Sequence, residues 1–203
     1  MEIVIFHLFI LLFSVVVHEV SHGIIAESLG DPTARLAGRL TLNPLKHLDP
    51  FGSVIVPLLL SLVPGGVVFG WARPVPYNPA NLKRPERDGA LVAVAGPASN
   101  IALAVIFALL FRLLGAVPLS YFFTVLRNFL PSIVAVNVAL AVFNLVPIPP
   151  LDGSRVLGLI SPRLSLTLEA LSRQYGFLLI LPFIFFGIWL IEPIIIFLYN
   201  LLI

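Results

Sequence analysis

The chain has 203 residues, 59% of them hydrophobic and 11% charged, with a mean hydropathy of +1.07. A soluble domain carries about 25% charged residues, so the composition excludes an ordinary water-soluble fold and points to a membrane protein. A formal net charge of +2 is too small to suggest a nucleic-acid partner, and the absence of cysteine removes disulfides, thiolate metal sites and cysteine nucleophiles.

Four segments are apolar and long enough to span, at about 20 residues for ~30 Å of hydrocarbon. They are 3–29, 90–117, 122–147 and 175–202. The first is too long for a secretory leader and is read as a mature helix. It carries His18-Glu19-Val20-Ser21-His22. On a helix the two histidines are four positions apart, so both imidazoles leave one face about 6 Å apart along the axis. That spacing suits two nitrogen ligands on one Zn²⁺, with Glu19 beside them to act on a water. Three ionisable groups within a span are costly to bury, and such groups are functional by default.

Loops rich in Pro, Gly, Asn and charge follow at 30–50, 66–89 and 148–174. Between the first two lies the apolar run Phe51 to Val63, which as a helix reaches only about 20 Å and so falls short of a crossing. Pro64-Gly65-Gly66 stops it, and Val67 to Val75 reads as extended chain. If 51–63 turns back, the three loops share one side and hold every Lys and Arg except Arg112 and Arg127. If it crosses, the charge bias almost vanishes. The positive-inside rule therefore predicts re-entry, with the loops in the cytoplasm and both termini outside. The expected fold is an all-α polytopic membrane protein forming a single domain over 1–203. It has about four spanning helices, a re-entrant helix and extended segment, and a small β element near the cytoplasmic face.

A catalytic zinc takes three protein ligands, and without cysteine the third must be Asp, Glu or His. The candidates near a membrane segment are His7, Glu27, His47, Asp49, Asp152 and Glu192. Glu27 lies about 13 Å from His18 along the helix, and His7 about 16 Å, so neither reaches. Asp152 stands out: prolines 147, 149 and 150 break the helix before it, and Gly153 permits a sharp turn. Re-entry of 51–63 also delivers Asp152 to the side nearest the histidines, whereas a crossing sends it to the opposite face. His7 and His47 are read as structural, and Trp71 and Trp189 as interface anchors.

Together, His18 to His22 on a membrane helix, Gly96-Pro97-Ala98-Ser99-Asn100, and Asn144 through Asp152-Gly153 resemble the site-2 protease family. Gly70 to Pro76 with Asn78-Pro79 is similar to the loop preceding the glycine-proline segment in compact prokaryotic members. The match runs in the same order from His18 to Gly153. The resemblance implies proteolysis within the bilayer, with one Zn²⁺ held by His18, His22 and Asp152. It also implies Glu19 as general base and Asn144 as a contact to the substrate backbone or the oxyanion. The implied partner is a single-span membrane protein in the bilayer of a prokaryotic cell, cleaved towards the cytoplasmic side. The chain leaves no room for the PDZ or CBS domains of some members. An extended Val67 to Val75 would hold an unwound substrate by strand addition. A zinc transporter and an inactive scaffold are the competing readings. Few ligands and no acidic or histidine-rich entry path weigh against the first, and intact motifs against the second.

Overall fold

The structure, a computed structural model, describes residues 2–55, 72–116, 120–175, 178, 182–183 and 187–203. Helix α1 runs Glu2–Ser28, an apolar stretch without proline. It ends where Gly30 takes φ +111, a left-handed residue that lets Gly30 N–H and Asp31 N–H turn back onto the carbonyls of Glu27 and Ala26. A short α2, Thr33–Leu36, follows. Helix α3, Pro85–Gly115, opens on a proline, and the Asp88 carboxylate accepts the Arg84 N–H at 2.9 Å. Helix α4 is Tyr121–Asn144, α5 Gly153–Val156, α6 Pro162–Tyr175 and α7 Ile188–Leu202.

Three of these are long and apolar enough to cross a membrane, over Phe6–Ser28, Pro85–Gly115 and Phe123–Asn144. Ala104, Ala108, Val134 and Val138 are all buried where α3 meets α4, so small side chains bring the two backbones close. Outward lie Phe9, Ile24, Leu109 and Trp189, a surface that is stable only against lipid. Ser14 contacts Asn100, and His22 contacts the Val92 carbonyl, so α1 and α3 run antiparallel. Ser14 also meets Asn137, while Asp152, beyond α4, reaches His18, so α1 and α4 run parallel. The chain thus leaves α1 and enters α3 at the same end of the bundle. Whatever lies between makes no net crossing.

Two expectations need correction. The first is the small β element: no strand forms among the described residues, and the part of Val67 to Val75 before Ala72 lies outside them. From Ala72 to Asn78 the chain joins no strand ladder, although Arg73 N–H bonds the His47 carbonyl at 2.8 Å. Pro74 and Pro76 have no N–H, so alternate residues cannot donate to a ladder. The groups that remain are taken largely by side chains. Arg39 Nη2 donates to the Arg73 and Pro74 carbonyls, Val75 N–H to Glu19 and Asn78 N–H to Asp31. The second is the number of spans: among the described residues three helices rather than four are long and apolar enough. Of 175–202, residues 176–177, 179–181 and 184–186 lie outside the described residues; Tyr175, Leu178, Pro182, Phe183 and Gly187 are helical, and the rest is the 15-residue α7. That helix is about 22 Å long, short of the hydrocarbon thickness. The re-entrant segment is described only through Ile55, as a turn of π-helix over Pro50–Ile55, and 56–63 lies outside the described residues. Together with Tyr175, residues 162–174, read as loop, form α6. Its Leu164, Leu168, Leu171 and Tyr175 recur at helical spacing between polar positions, the pattern of an interfacial helix.

Candidate metal centre

His18 and His22, one turn apart on α1, bring their Nε2 atoms to 3.0 Å from each other. Each ring is oriented from behind. His22 Nδ1 lies 2.6 Å from the Val92 carbonyl oxygen, which can only accept, so the proton sits on Nδ1. His18 Nδ1 lies 2.6 Å from Asn100 Oδ1 and donates in the same way. With the proton on Nδ1, each neutral ring turns its Nε2 lone pair towards one point. Gly96 on α3 forms the wall beside them. A Cβ built on it would stand 2.5 Å from His18 Cε1, His18 Nε2 and His22 Nε2, so only glycine fits there.

The third donor comes from the chain after α4. Beyond Asn144 the backbone coils through tight turns, with Ile148 N–H on the Val146 carbonyl at 2.8 Å and Leu151 N–H on the Ile148 carbonyl at 2.9 Å. This presents Asp152 at the start of α5. Gly153 is essential to the turn, because a Cβ there would overlap the carbonyls of Leu145 and Val146. Asp152 Oδ2 arrives 3.1 Å from His18 Nε2 and 3.3 Å from His22 Nε2. Burial alone raises the Asp152 pKa, but the pull of the adjacent His18 and His22 imidazoles outweighs this and holds the carboxyl down at about 2. The group is an anion at neutral pH.

Three electron-pair donors facing one another within about 3 Å, in a buried place, demand a cation. Asp152 Oδ2 meets no hydrogen-bond donor among the described residues. Metal–ligand bonds of about 2.05 Å at a tetrahedral angle separate donor atoms by about 3.3 Å, close to the spacing observed. Among the described residues this is the one group of three or more His, Cys, Asp or Glu placed to hold a metal. The donor set fits zinc.

Glu19 stays outside that group. Its Oε2 accepts the Val75 N–H at 2.8 Å, which ties it to the extended segment above the site. That segment is strapped down further by Arg39 and by Arg155, whose guanidinium lies 4.8 Å over the Tyr77 ring. Asn144 Nδ2 donates to the Leu140 carbonyl of its own helix at 3.0 Å. The other carboxylates and histidines considered from the sequence are placed elsewhere. Glu27 pairs with Arg35, and Asp49 caps the turn at Phe51 and Gly52. His47 is buried and bonded to the Thr41 carbonyl at 2.9 Å, and Glu192 is exposed on α7. Asn137 and Asp31 drew no attention in the sequence. A polar residue inside an apolar span was the available signal for Asn137.

Residues 6–133 and 119–183 match the description Peptidase family M50. The chain belongs to peptidase family M50. It is 42% identical over 175 residues to YwhC of Bacillus subtilis, provisionally named a zinc metalloprotease, covering 84% of this chain and 76% of that protein. To Rip2 of Mycolicibacterium smegmatis, also provisionally named a zinc metalloprotease, it is 32% identical over 180 residues, 83% of this chain but only 62% of that one. No solved structure matches significantly. The M50 chain is thus a zinc-dependent membrane metalloprotease, and the site-2 protease resemblance is borne out.

Proposed function

We propose that the chain, as one membrane-embedded domain, is an intramembrane endopeptidase that cleaves a single-span membrane protein within or near its transmembrane segment. The observation that carries this reading is depth. His18 lies on the Phe6–Ser28 span, ten residues or about 15 Å in from Ser28. A bond hydrolysed there is one that lipid normally shields. The loops gather at the end of the bundle nearest Asp152 and contain nearly all the Lys and Arg, which supports a site opening towards the cytoplasm of a prokaryotic cell.

His18, His22 and Asp152 hold the metal. Zinc bound there supplies Lewis acidity, lowering the pKa of water towards 7 and polarising the scissile carbonyl. Glu19 is the general base. The Val75 N–H fixes its Oε2 and leaves Oε1 free to take a proton from water and return it to the leaving nitrogen. Asn144, at the end of α4, has one amide hydrogen left after its bond to Leu140, available to the developing oxyanion or to the substrate backbone.

The test is cleavage of transmembrane peptides by the reconstituted protein, with metal content measured alongside and cut sites read by mass spectrometry. Glu19→Gln is expected to retain zinc and lose about 10²–10⁴-fold in turnover, the usual worth of a general base. Asp152→Ala should lose both. Cuts confined to soluble flanks, or full zinc and activity in Asp152→Ala, would overturn the reading.

A further inference from the structure

Behind the two histidines, three helices meet in a closed set of polar contacts. Asn137 on α4 donates from Nδ2 to the Ile133 carbonyl at 2.9 Å and to Ser14 Oγ at 3.0 Å. Because the Ile133 oxygen can only accept, the Asn137 amide has one orientation, with Oδ1 turned towards α3. That oxygen accepts from Asn100 Nδ2 at 2.9 Å, and the second Asn100 hydrogen points at the Ser14 carbonyl at 3.3 Å. The Asn100 amide is thereby fixed as well, with Oδ1 on His18 Nδ1 at 2.6 Å. Asn100 and Asn137 are both fully buried, each at 0% exposed. The tautomers and amide orientations follow from the hydrogen bonds alone.

The chain of constraint has a direction. A helical carbonyl on α4 sets Asn137, Asn137 sets Asn100, and Asn100 sets the proton of His18 on Nδ1. What remains is the His18 Nε2 lone pair, aimed at Asp152 and His22. We propose that Asn100 is a positioning residue for the zinc site. It holds His18 in the tautomer and ring orientation that bind metal, and Asn137 with Ser14 locks Asn100 in the required orientation. An imidazole ligand that donates its other N–H to a fixed acceptor is the more basic and better oriented for it. In an apolar bundle the alternative is an amide free to turn over, which places N–H against N–H and drives the His18 proton onto the ligand nitrogen.

The rival reading is that these groups only bond helices together, as polar side chains in membrane bundles do. Substitution by aspartate separates the two. Asn100→Asp keeps an oxygen on His18 Nδ1 but cannot donate to Asn137 or Ser14. A packing role makes it at least as harmful as Asn100→Leu. A positioning role makes it the conservative variant.

The measurement is Zn²⁺ affinity of the full chain in detergent, by chelator competition, together with the visible spectrum of the Co²⁺-loaded protein and thermal stability. Asn100→Leu is expected to weaken zinc about 10–100-fold, the usual cost of losing a histidine's outer partner, and to alter the Co²⁺ bands. Asn100→Asp should bind within about threefold of the unsubstituted protein and keep its spectrum. Val138→Ala, a buried truncation on α4 outside the polar set, should lower stability and leave affinity unchanged. If Asn100→Leu cannot be purified, Asn137→Leu serves, and its affinity should fall several-fold. Zinc affinity in Asn100→Leu no weaker than in Val138→Ala, or Asn100→Asp binding as poorly as Asn100→Leu, would overturn the proposal. Because it rests on His18 being a ligand, His18→Ala is included. Retention of zinc by that variant refutes the ligand assignment itself, whereas its loss beside an intact Asn100→Leu refutes the positioning role alone.

Discussion

Gly96→Ala subjects the metal site to a single methyl group. The new Cβ would lie 2.5 Å from three atoms of the paired imidazoles, and ordinary contact begins at 3.4 Å, a shortfall of about 0.9 Å. Helix α3 cannot retreat easily, since its Val92, Ala93 and Pro97 are buried against neighbours. Most of the movement therefore falls on the rings. Metal ligands tolerate about 0.2 Å, so a shift of this size breaks the donor triangle, and overpacking of this kind costs about 1–3 kcal/mol. At about 1.4 kcal/mol per decade, zinc affinity should fall about 10–100-fold. Catalysis at saturating zinc should fall about 100-fold, the usual result of misplacing reacting groups by about 1 Å. Zinc competition and peptide cleavage measure the two effects. Gly89→Ala is the control: it lies on the same helix, and its Cβ would meet only the Tyr77 hydroxyl at 4.0 Å. It should be neutral or stabilising by about 0.5–1 kcal/mol, as glycine is a poor helix former. If Gly96→Ala bound zinc and cleaved as well as Gly89→Ala, the close approach of α3 to the imidazoles would be wrong.

Gly153→Ala should be worse for the fold, because its Cβ overlaps backbone carbonyls that cannot rotate away; thermal denaturation and zinc content are expected to fall together, and a normal melt would refute the turn described for Asp152. Asp31 accepts hydrogen bonds from Thr33, Asn78 and Asn81 at the exit of α1. Burial raises its pKa, but those bonds outweigh it and hold the carboxyl below its ordinary value. A depressed folded pKa stabilises the protein above the unfolded value of about 3.9, and that stability is lost as pH falls through the folded value. Asp31→Asn should therefore lower the melting temperature at pH 7 and make less difference near pH 3; an equal deficit at both pH values would exclude this role.

The grouping of His18, His22 and Asp152 was legible because its signals are local. His18 and His22 announce themselves by spacing on one helix, and Asp152 by a carboxylate between helix-breaking prolines and a glycine. The same charge asymmetry that predicted re-entry agrees with the return of the chain to one end of the bundle. Tertiary partners were not legible. Asn100 stood in a motif whose glycine explained close packing, and nothing in the sequence tied its amide to an imidazole 82 positions earlier. The extended segment misled for a related reason. Val75 and its neighbours have strand-like composition, but Pro74 and Pro76 deny the ladder its donors, and Arg39, Glu19 and Asp31 supply other partners. Helix α6 was hidden because its polar half resembles loop when composition alone is read.

The buried polar atoms of the bundle form one connected system rather than scattered liabilities. Ser14, Asn137 and Asn100 satisfy one another, Asn100 satisfies the back of His18, and the Val92 carbonyl satisfies the back of His22. Arg39 Nε and His47 Nδ1, also buried without a partner, lie in the connecting chain outside the spans. Among the described residues of the bundle interior, what remains unsatisfied lies at the front: two imidazole lone pairs and the Asp152 carboxylate oxygen. In a low-dielectric interior such a gathering is repulsive, so the scaffold holds the site under an electrostatic load that a cation reverses. An ion held there would join α1 to the chain beyond α4, segments more than 120 residues apart that meet, among the described residues, through apolar packing and the Ser14–Asn137 bond. Its binding energy would then be folding energy as well as catalytic equipment. This explains why glycine is required at both Gly96 and Gly153: each clears the path for a ligand whose exact position matters to fold and to chemistry alike.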